Sequence, residues 1–404
     1  MSVAKNFQID NSFVIQVILI LMKTSLQTAQ IQVHPGFIDL GIGDPQLSLL
    51  PTELIRQSAE ACFAQNDPTF LQYGAEQGNG YFRLALAKFL SRGYGFPVEP
   101  ESLFVSSGAS GGLDLICTLF TQPGDTIFVE EPTYFLALRI FADHGLRLVP
   151  IPTDEDGLVV DALEAKLAEI RPKFLYIVPT FQNPSGQTLS QERRERLVPL
   201  CQEHDFLVVA DEVYHFLSYG LQPPETFAAH TIVRNVISLG SFSKILAPGL
   251  RLGWAQAEAS RIRQLVKCGL LDSGGGMNPF TSAVVRGILE NGGLEKHILG
   301  LRATYHARLA AMDAALRRYL PGAQYMIPRG GYFFWVRLPE EADAEELLAK
   351  AREFKVGFRP GVRFSSQGGL RRYVRLSFSY YDSQDIEKGV KRLSNALKSF
   401  FSHR

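Results

Sequence analysis

Val236-Ile237-Ser238-Leu239-Gly240-Ser241-Phe242-Ser243-Lys244-Ile245-Leu246-Ala247-Pro248-Gly249-Leu250-Arg251-Leu252-Gly253-Trp254-Ala255 is the stretch on which the fold turns. Two short apolar runs, 236–239 and 252–255, have the length and character of strands buried on both faces. Between them stand two hydroxyls, a lysine, a Pro-Gly turn and an arginine. In an open parallel sheet the ligand crevice lies beyond the carboxyl ends of the strands, so polar groups directly after such a run are the first to read for function.

Working outward, similar runs occur at 103–105, 126–129, 146–151, 174–178 and 206–210, separated by segments of helical period at 112–120, 135–144, 161–170 and 191–204. That alternation predicts an α/β fold: a mostly parallel seven-stranded sheet with helices on both faces. After Phe280 the pattern becomes a long helix (294–320), an alternating strand (332–338), a helix (344–354), a strand (373–378) and a last helix (385–400) announced by Asp382. The expected division is an N-terminal arm (1–38), a large domain (39–290) and a smaller α+β domain (291–404), with residues 39–60 as candidates for bridging the two.

The chain has 404 residues, with 41 basic and 41 acidic side chains. Charges that cancel give no global field to attract nucleic acid or an anionic membrane, so a small-molecule partner is expected. Four scattered cysteines without a CxxC pair or a His/Cys cluster argue against a disulfide framework and a metal site. The apolar segment 13–22, between Lys5 and Lys23, is too short to span a bilayer. It is read as an arm against the body or a partner subunit, and the protein as cytoplasmic.

The strand ends share a chemistry. Ser107-Gly108-Ala109-Ser110-Gly111-Gly112 leads into a helix, where exposed amides make a phosphate seat, although glycine turns between strand and helix are common in any sheet. Tyr134 follows the second strand, and could stack on a planar ring or simply belong to the core. Asn183 lies in the turn Asn183-Pro184-Ser185-Gly186 after the fourth strand, where its amide can donate to a phenolic oxygen. Asp211 closes a strand that should be buried on both faces, where a carboxylate needs a cationic or hydrogen-bonding partner, and Tyr214 follows it. Lys244, with Ser241, Ser243 and Arg251 around it, offers an amine beside an anion clamp; partial desolvation would make that amine nucleophilic toward an aldehyde. Phosphate, ring face, phenolate, ring nitrogen and aldehyde are the groups of pyridoxal 5'-phosphate.

From about Gly41 onward the sequence resembles the fold-type I pyridoxal-phosphate enzymes, and among them the class I/II aminotransferases of the 2-aminoadipate and kynurenine branch. The most specific parts are Asn183-Pro184-Ser185-Gly186, Asp211-x-x-Tyr214 and Ser241-x-Ser243-Lys244 through Arg251-x-Gly253. The resemblance implies that Lys244 forms the Schiff base and carries the proton, that Asp211 keeps the ring nitrogen protonated, and that Asn183 and Tyr214 bind the 3'-oxygen. It also implies that Ser241, Ser243, Arg251 and the amides of Ala109 and Ser110 hold the phosphate, and that Tyr134 stacks on the ring. Arg375 would grip the substrate α-carboxylate, and Gly43 would bring backbone close to substrate. Tyr73 would reach the phosphate of a neighbouring subunit, which makes a homodimer the active unit.

Two departures from the family pattern stand out. Ser110 occupies a place where many relatives have Gln, and Ser273-Gly274-Gly275-Gly276-Met277-Asn278-Pro279 is unusually rich in glycine for a substrate-entrance region. Amino transfer is the expected reaction, but the same residues would also serve a lyase or synthase, since reaction choice depends on which α-bond stands perpendicular to the ring. An amino-acid sensor of a transcription regulator is disfavoured, because fewer than forty residues precede Asp39. Arg56, Arg139, Arg329 and Arg359 remain open as partners for the distal acid of a dicarboxylate donor.

Overall fold

The computed structural model describes residues 29–220 and 222–402. The apolar segment 13–22 lies outside the described residues. The chain forms two compact units, one ending at Phe37 and the other running from Ile38.

In the second unit the strands, in chain order, are β1 (Ile38–Asp39), β2 (Leu103–Ser106), β3 (Thr126–Glu131), β4 (Arg147–Asp154), β5 (Gly157–Leu158), β6 (Phe174–Ile177), β7 (Leu207–Asp211), β8 (Val236–Ser241), β9 (Gly253–Ala257), β10 (Phe333–Arg337), β11 (Val356–Gly357), β12 (Arg359–Pro360) and β13 (Tyr373–Ser377). The main sheet has the order β2-β9-β8-β7-β6-β3-β4-β5. From β8 to β4 all pairings are parallel, whereas β9 runs antiparallel to both β8 and β2. Two antiparallel pairings in succession leave β2 pointing the same way as β8, so its carboxyl end opens on the same edge. All seven expected strands form. The eighth, β5, is a two-residue return antiparallel to β4, too short to leave a periodic signal.

Every residue of β6, β7 and β8 is buried, which is why these strands read as unbroken apolar runs. Helices Val160–Leu167 and Gln191–Glu203 cover part of the sheet with Leu163, Leu167, Leu197 and Cys201 against Leu175, Ile177 and Val208. Each fully buried leucine there stabilises the fold by about 1.5–3 kcal/mol. Cys62 and Cys117 are buried as well, and Cys268 is partly exposed.

Beyond the main sheet, β10, β13 and β12 form an antiparallel sheet. The helix Gly293–Tyr319 packs with the last helix, Ser383–Ser402, whose buried Ile386, Gly389, Val390 and Leu393 repeat at helical spacing. Asp382 accepts a hydrogen bond from the Asp385 amide at 2.9 Å and so starts that helix as the sequence implies.

Candidate active site

The carboxyl ends of β2, β3, β6, β7 and β8 carry the side chains singled out by sequence in the main sheet, while Arg375 comes from β13 and Gly43 from the segment after β1. One helix begins earlier than the glycine pattern suggests: it runs Gly108–Phe120 rather than from Gly112. Glycine weakens helices but does not forbid them, and Gly108 sits at φ +79°, open to a close neighbour. A Cβ at Gly108 would stand 2.9 Å from Arg251 Nη2. Ala109 and Ser110 therefore occupy the first turn of the helix, where backbone N–H groups have no partner within it.

Arg251 faces this turn. Its Nη2 donates to the Ser107 carbonyl at 3.0 Å and its Nη1 to the Pro248 carbonyl at 3.2 Å. Its own carbonyl accepts from Asn278 Nδ2, and Asn278 takes a left-handed conformation (φ +52°). Ser241 Oγ donates to Ser243 Oγ at 3.0 Å and accepts from the Ser243 amide at 3.1 Å. Helix N-terminus, two hydroxyls and a guanidinium make an anion seat.

Asp211, at the end of β7, is 7% exposed. Its Oδ2 accepts from the Tyr176 hydroxyl at 2.8 Å, while Oδ1 is buried without a hydrogen bond of normal geometry among the described residues. Burial pushes its pKa up to about 6, against the opposing pull of the Tyr176 hydroxyl, the Val213 amide and Lys244. Tyr176 was not marked by sequence as anything but a strand residue; only the β6/β7 pairing brings it to Asp211.

Lys244 Nζ donates to the Gly43 carbonyl at 3.0 Å and lies 4.0 Å from Asp44 Oδ1 and 5.5 Å from the centre of the Tyr332 ring. Burial lowers its pKa, opposed first by Asp44. About a fifth of its side chain (19%) stays exposed. The Tyr332 hydroxyl donates to the Lys244 carbonyl at 3.2 Å, a second contact with no sequence signal.

Arg375, on β13, is 3% exposed. Its Nη1 donates to Asn183 Oδ1 at 2.8 Å and its Nη2 to the Gly41 carbonyl at 2.7 Å; Nε has no partner among the described residues. A guanidinium only donates, so this contact fixes the Asn183 oxygen toward Arg375 and leaves the amide nitrogen facing elsewhere. The guanidinium lies over Phe333 at 4.1 Å and Phe364 at 5.0 Å from the ring centres. Among the described residues no carboxylate lies within 4.0 Å, and burial pushes its pKa down to about 10. A buried cation held by neutral groups is poised for an anion from outside. Gly43 completes this wall: a Cβ there would lie 3.0 Å from the Phe333 ring and 3.6 Å from Arg375 Nη2.

Tyr214 is buried edge-on to Tyr332 and Phe333, and its phenol pKa is raised by burial. Tyr134 precedes the helix Phe135–Asp143, and burial pushes its phenol to about 12, with smaller effects of Asp211, Arg375, Asp44 and Arg251. Tyr73 stands apart, 80% exposed. Its neighbour Gly74 pairs with Gly276, which explains the glycine run: a Cβ at Gly276 would lie 1.7 Å from the Ala75 carbonyl oxygen, and one at Gly275 2.6 Å from that of Gly74. Gly276→Ala is therefore expected to cost on the order of 2–3 kcal/mol of stability, whereas Gly274→Ala, which meets open space, should be near neutral. Thermal unfolding of the two variants checks this.

Pyridoxal 5'-phosphate fits the residues present. The orphaned Asp211 Oδ1 wants a cationic N–H, the Gly108–Phe120 terminus with Arg251 and the serines wants a phosphate, and the Lys244 amine suits an aldehyde. The family model described as "Aminotransferase class I and II" matches residues 35–393. The chain is 37% identical to aromatic-amino-acid aminotransferase 1 of Thermococcus litoralis, over 89% of this chain and 88% of the relative. The multiple substrate aminotransferase from Thermococcus profundus superposes with a TM-score of 0.86 at 34% identity, covering 100% of this chain and 97% of that one. LysN, the α-aminoadipate aminotransferase of Thermus thermophilus, solved with N-(5'-phosphopyridoxyl)-L-leucine, gives 0.84 at 32% identity over 92% and 94% of the two chains. The chain belongs to the class I and II aminotransferases, fold-type I enzymes that use pyridoxal 5'-phosphate.

Proposed function

We propose that this aminotransferase divides its work among the residues of the crevice as follows. The phosphate is held by Ser241, Ser243, Arg251 and the amides of Ala109 and Ser110. Asp211 meets the ring nitrogen and keeps it protonated, Tyr134 covers the ring face, and Asn183 Nδ2 and the Tyr214 hydroxyl approach the 3'-oxygen. When bound, pyridoxal 5'-phosphate supplies an aldehyde for amine exchange and a ring that draws electrons from the carbon losing its proton.

The rest falls to the chain itself. Arg375 grips the α-carboxylate of the amino or 2-oxo acid, with Gly43 allowing the close approach and the Phe333 and Phe364 faces excluding water. Lys244 Nζ, its basicity reduced by burial, takes the proton from the substrate α-carbon and returns it on the other side of the exchange. The observation that carries this reading is the buried, carboxylate-free Arg375, hydrogen-bonded to Asn183 and to the Gly41 carbonyl two residues from the Gly43 carbonyl that holds Lys244.

We also propose a homodimer as the active unit. Tyr73 is exposed, as are the apolar Phe63, Leu71 and Phe280, and in such a dimer it would reach the phosphate of the second copy. No helix among the described residues is long and apolar enough to cross a membrane, and the cytoplasm is the proposed location.

The test is to load the purified protein with pyridoxal 5'-phosphate and supply a panel of amino acids with either pyruvate or 2-oxoglutarate. A new amino acid should form as the donor disappears. Release of ammonia without amino transfer to either acceptor would instead mark a lyase.

A further inference from the structure

One acid in the crevice has no role in the assignment above. Asp44 Oδ1 is the one carboxylate oxygen within 4.0 Å of Lys244 Nζ among the described residues, and its side chain is 42% exposed. We propose that Asp44 is a specificity-determining residue, setting the site against substrates with a second carboxylate and toward amino and 2-oxo acids whose side chains are neutral or cationic.

The backbone that carries Asp44 is fixed at successive points. The Gly41 amide donates to Asp39 Oδ1 at 2.8 Å, and the Gly41 carbonyl accepts from Arg375. The Gly43 carbonyl accepts from Lys244, and the Asp44 carbonyl accepts from Ser379 Oγ at 2.8 Å. Gln46 is held by Arg308. Pro45 restricts the residue before it. The backbone at Asp44 is therefore held in place, and its carboxylate lies 4.0 Å from the catalytic amine.

Charge accounting gives that position its effect. The charged groups with the largest influence on the Lys244 amine are Asp44, Arg375, Asp211 and Arg251. On the residue roles proposed above, on which this inference rests, Arg251 is neutralised by phosphate, Asp211 by the ring N–H and Arg375 by the substrate α-carboxylate. The lysine nitrogen, joined to the cofactor as an imine, is a weaker base than the free amine and so a weaker counter-charge. Asp44 is the one group of the four left facing only that weakened cation. Arg359, the cation opposite Arg375 across β12 and β13, already has Asp39 3.5 Å away, and Arg56 pairs with Glu53 and Glu60. A distal carboxylate entering this crevice meets a weakly compensated negative charge, and like charges a few ångström apart at a half-exposed site weaken binding by roughly tenfold after solvent screening.

The experiment uses two inert acids with the cofactor-loaded enzyme: glutarate, with two carboxylates, and 3-phenylpropanoate, with one. Affinities come from calorimetry or from the change each causes in the visible band of the bound cofactor. Asp44→Asn should tighten glutarate about tenfold and leave 3-phenylpropanoate within about twofold, while Asp44→Glu should keep the wild-type discrimination. The inference is overturned by a glutarate affinity that does not respond to Asp44→Asn, or by an equal gain for both acids. Arg375→Lys, run in parallel, should weaken both acids. If it weakens neither, the carboxylate seat itself is wrong and this inference falls with it; if it weakens both while Asp44→Asn is flat, only the role of Asp44 fails.

Discussion

Lys244→Ala should lose at least about 10⁴-fold in kcat for amino transfer while still folding and still binding cofactor. The loss is large because the residue is asked to do two things from one atom: to hold the cofactor aldehyde and to move a proton at the substrate α-carbon. The other groups at the crevice are poor substitutes: Asp44 is a carboxylate 4.0 Å from the amine and has no bond to the cofactor to offer. Asp211 is engaged by Tyr176, Arg375 keeps its proton throughout the working range, and the phenols of Tyr134 and Tyr214 are raised by burial and are weak bases. Cofactor binding should survive because the anion seat of Ser241, Ser243, Arg251 and the Gly108–Phe120 terminus does not involve the lysine side chain. Borohydride reduction and mass spectrometry should find the adduct on residue 244 of the wild type and none on the variant. A small primary amine added to Lys244→Ala should restore part of the proton transfer, and the same amine should do nothing for Lys244→Arg, whose side chain still fills the space and cannot give up its proton. A variant that keeps even a hundredth of wild-type kcat would show that another base does the work.

Much of this site could be read before the fold was known, for a physical reason. Parallel strands covered on both faces must be continuously apolar, so β6, β7 and β8 announce themselves, and the first polar residue after each, Asp211 and Ser241 among them, lies on the ligand edge by construction. What could not be read depends on contacts between segments distant in sequence. Tyr176 looks like any strand residue until the β6/β7 register sets its hydroxyl beside Asp211. The rings around Arg375 come from three separate stretches, at Phe135, Phe333 and Phe364, and no local pattern says that they meet. The 274–276 glycine run shows the same limit from the other side: its abundance is visible in the sequence, but that Gly275 and Gly276 meet the backbone of residues 74 and 75 is not. The start of the first-turn helix at Gly108 was hidden because glycine reads as a turn wherever it clusters, while its real service there is to let Arg251 approach.

Asp211→Asn should move stability and activity in opposite directions, and that pairing is what separates a cofactor acid from a structural one. With no cofactor bound, Asp211 is a buried carboxylate with one orphaned oxygen and a pKa raised to about 6. A carboxylate whose folded pKa lies above its unfolded value contributes stability that is complete below the unfolded pKa and is lost as pH rises through the folded one. Cofactor-free protein should therefore weaken between about pH 4 and pH 6 by up to roughly 2–3 kcal/mol from this group, and Asn, which can still accept from Tyr176 but carries no charge, should remove most of that loss at pH 8. Once the cofactor is in place the sign reverses. The ionised acid then stabilises a protonated ring nitrogen, and an amide cannot. The variant should lose on the order of 10²–10³-fold in kcat, with the cofactor's gain in unfolding temperature also reduced. Melting curves with and without pyridoxal 5'-phosphate at pH 5 and pH 8, beside single-turnover rates, measure both halves. If Asn destabilises the cofactor-free protein at pH 8, the carboxylate is held by internal partners and is not waiting for a cation; if it leaves kcat within a few-fold, the ring nitrogen does not depend on it.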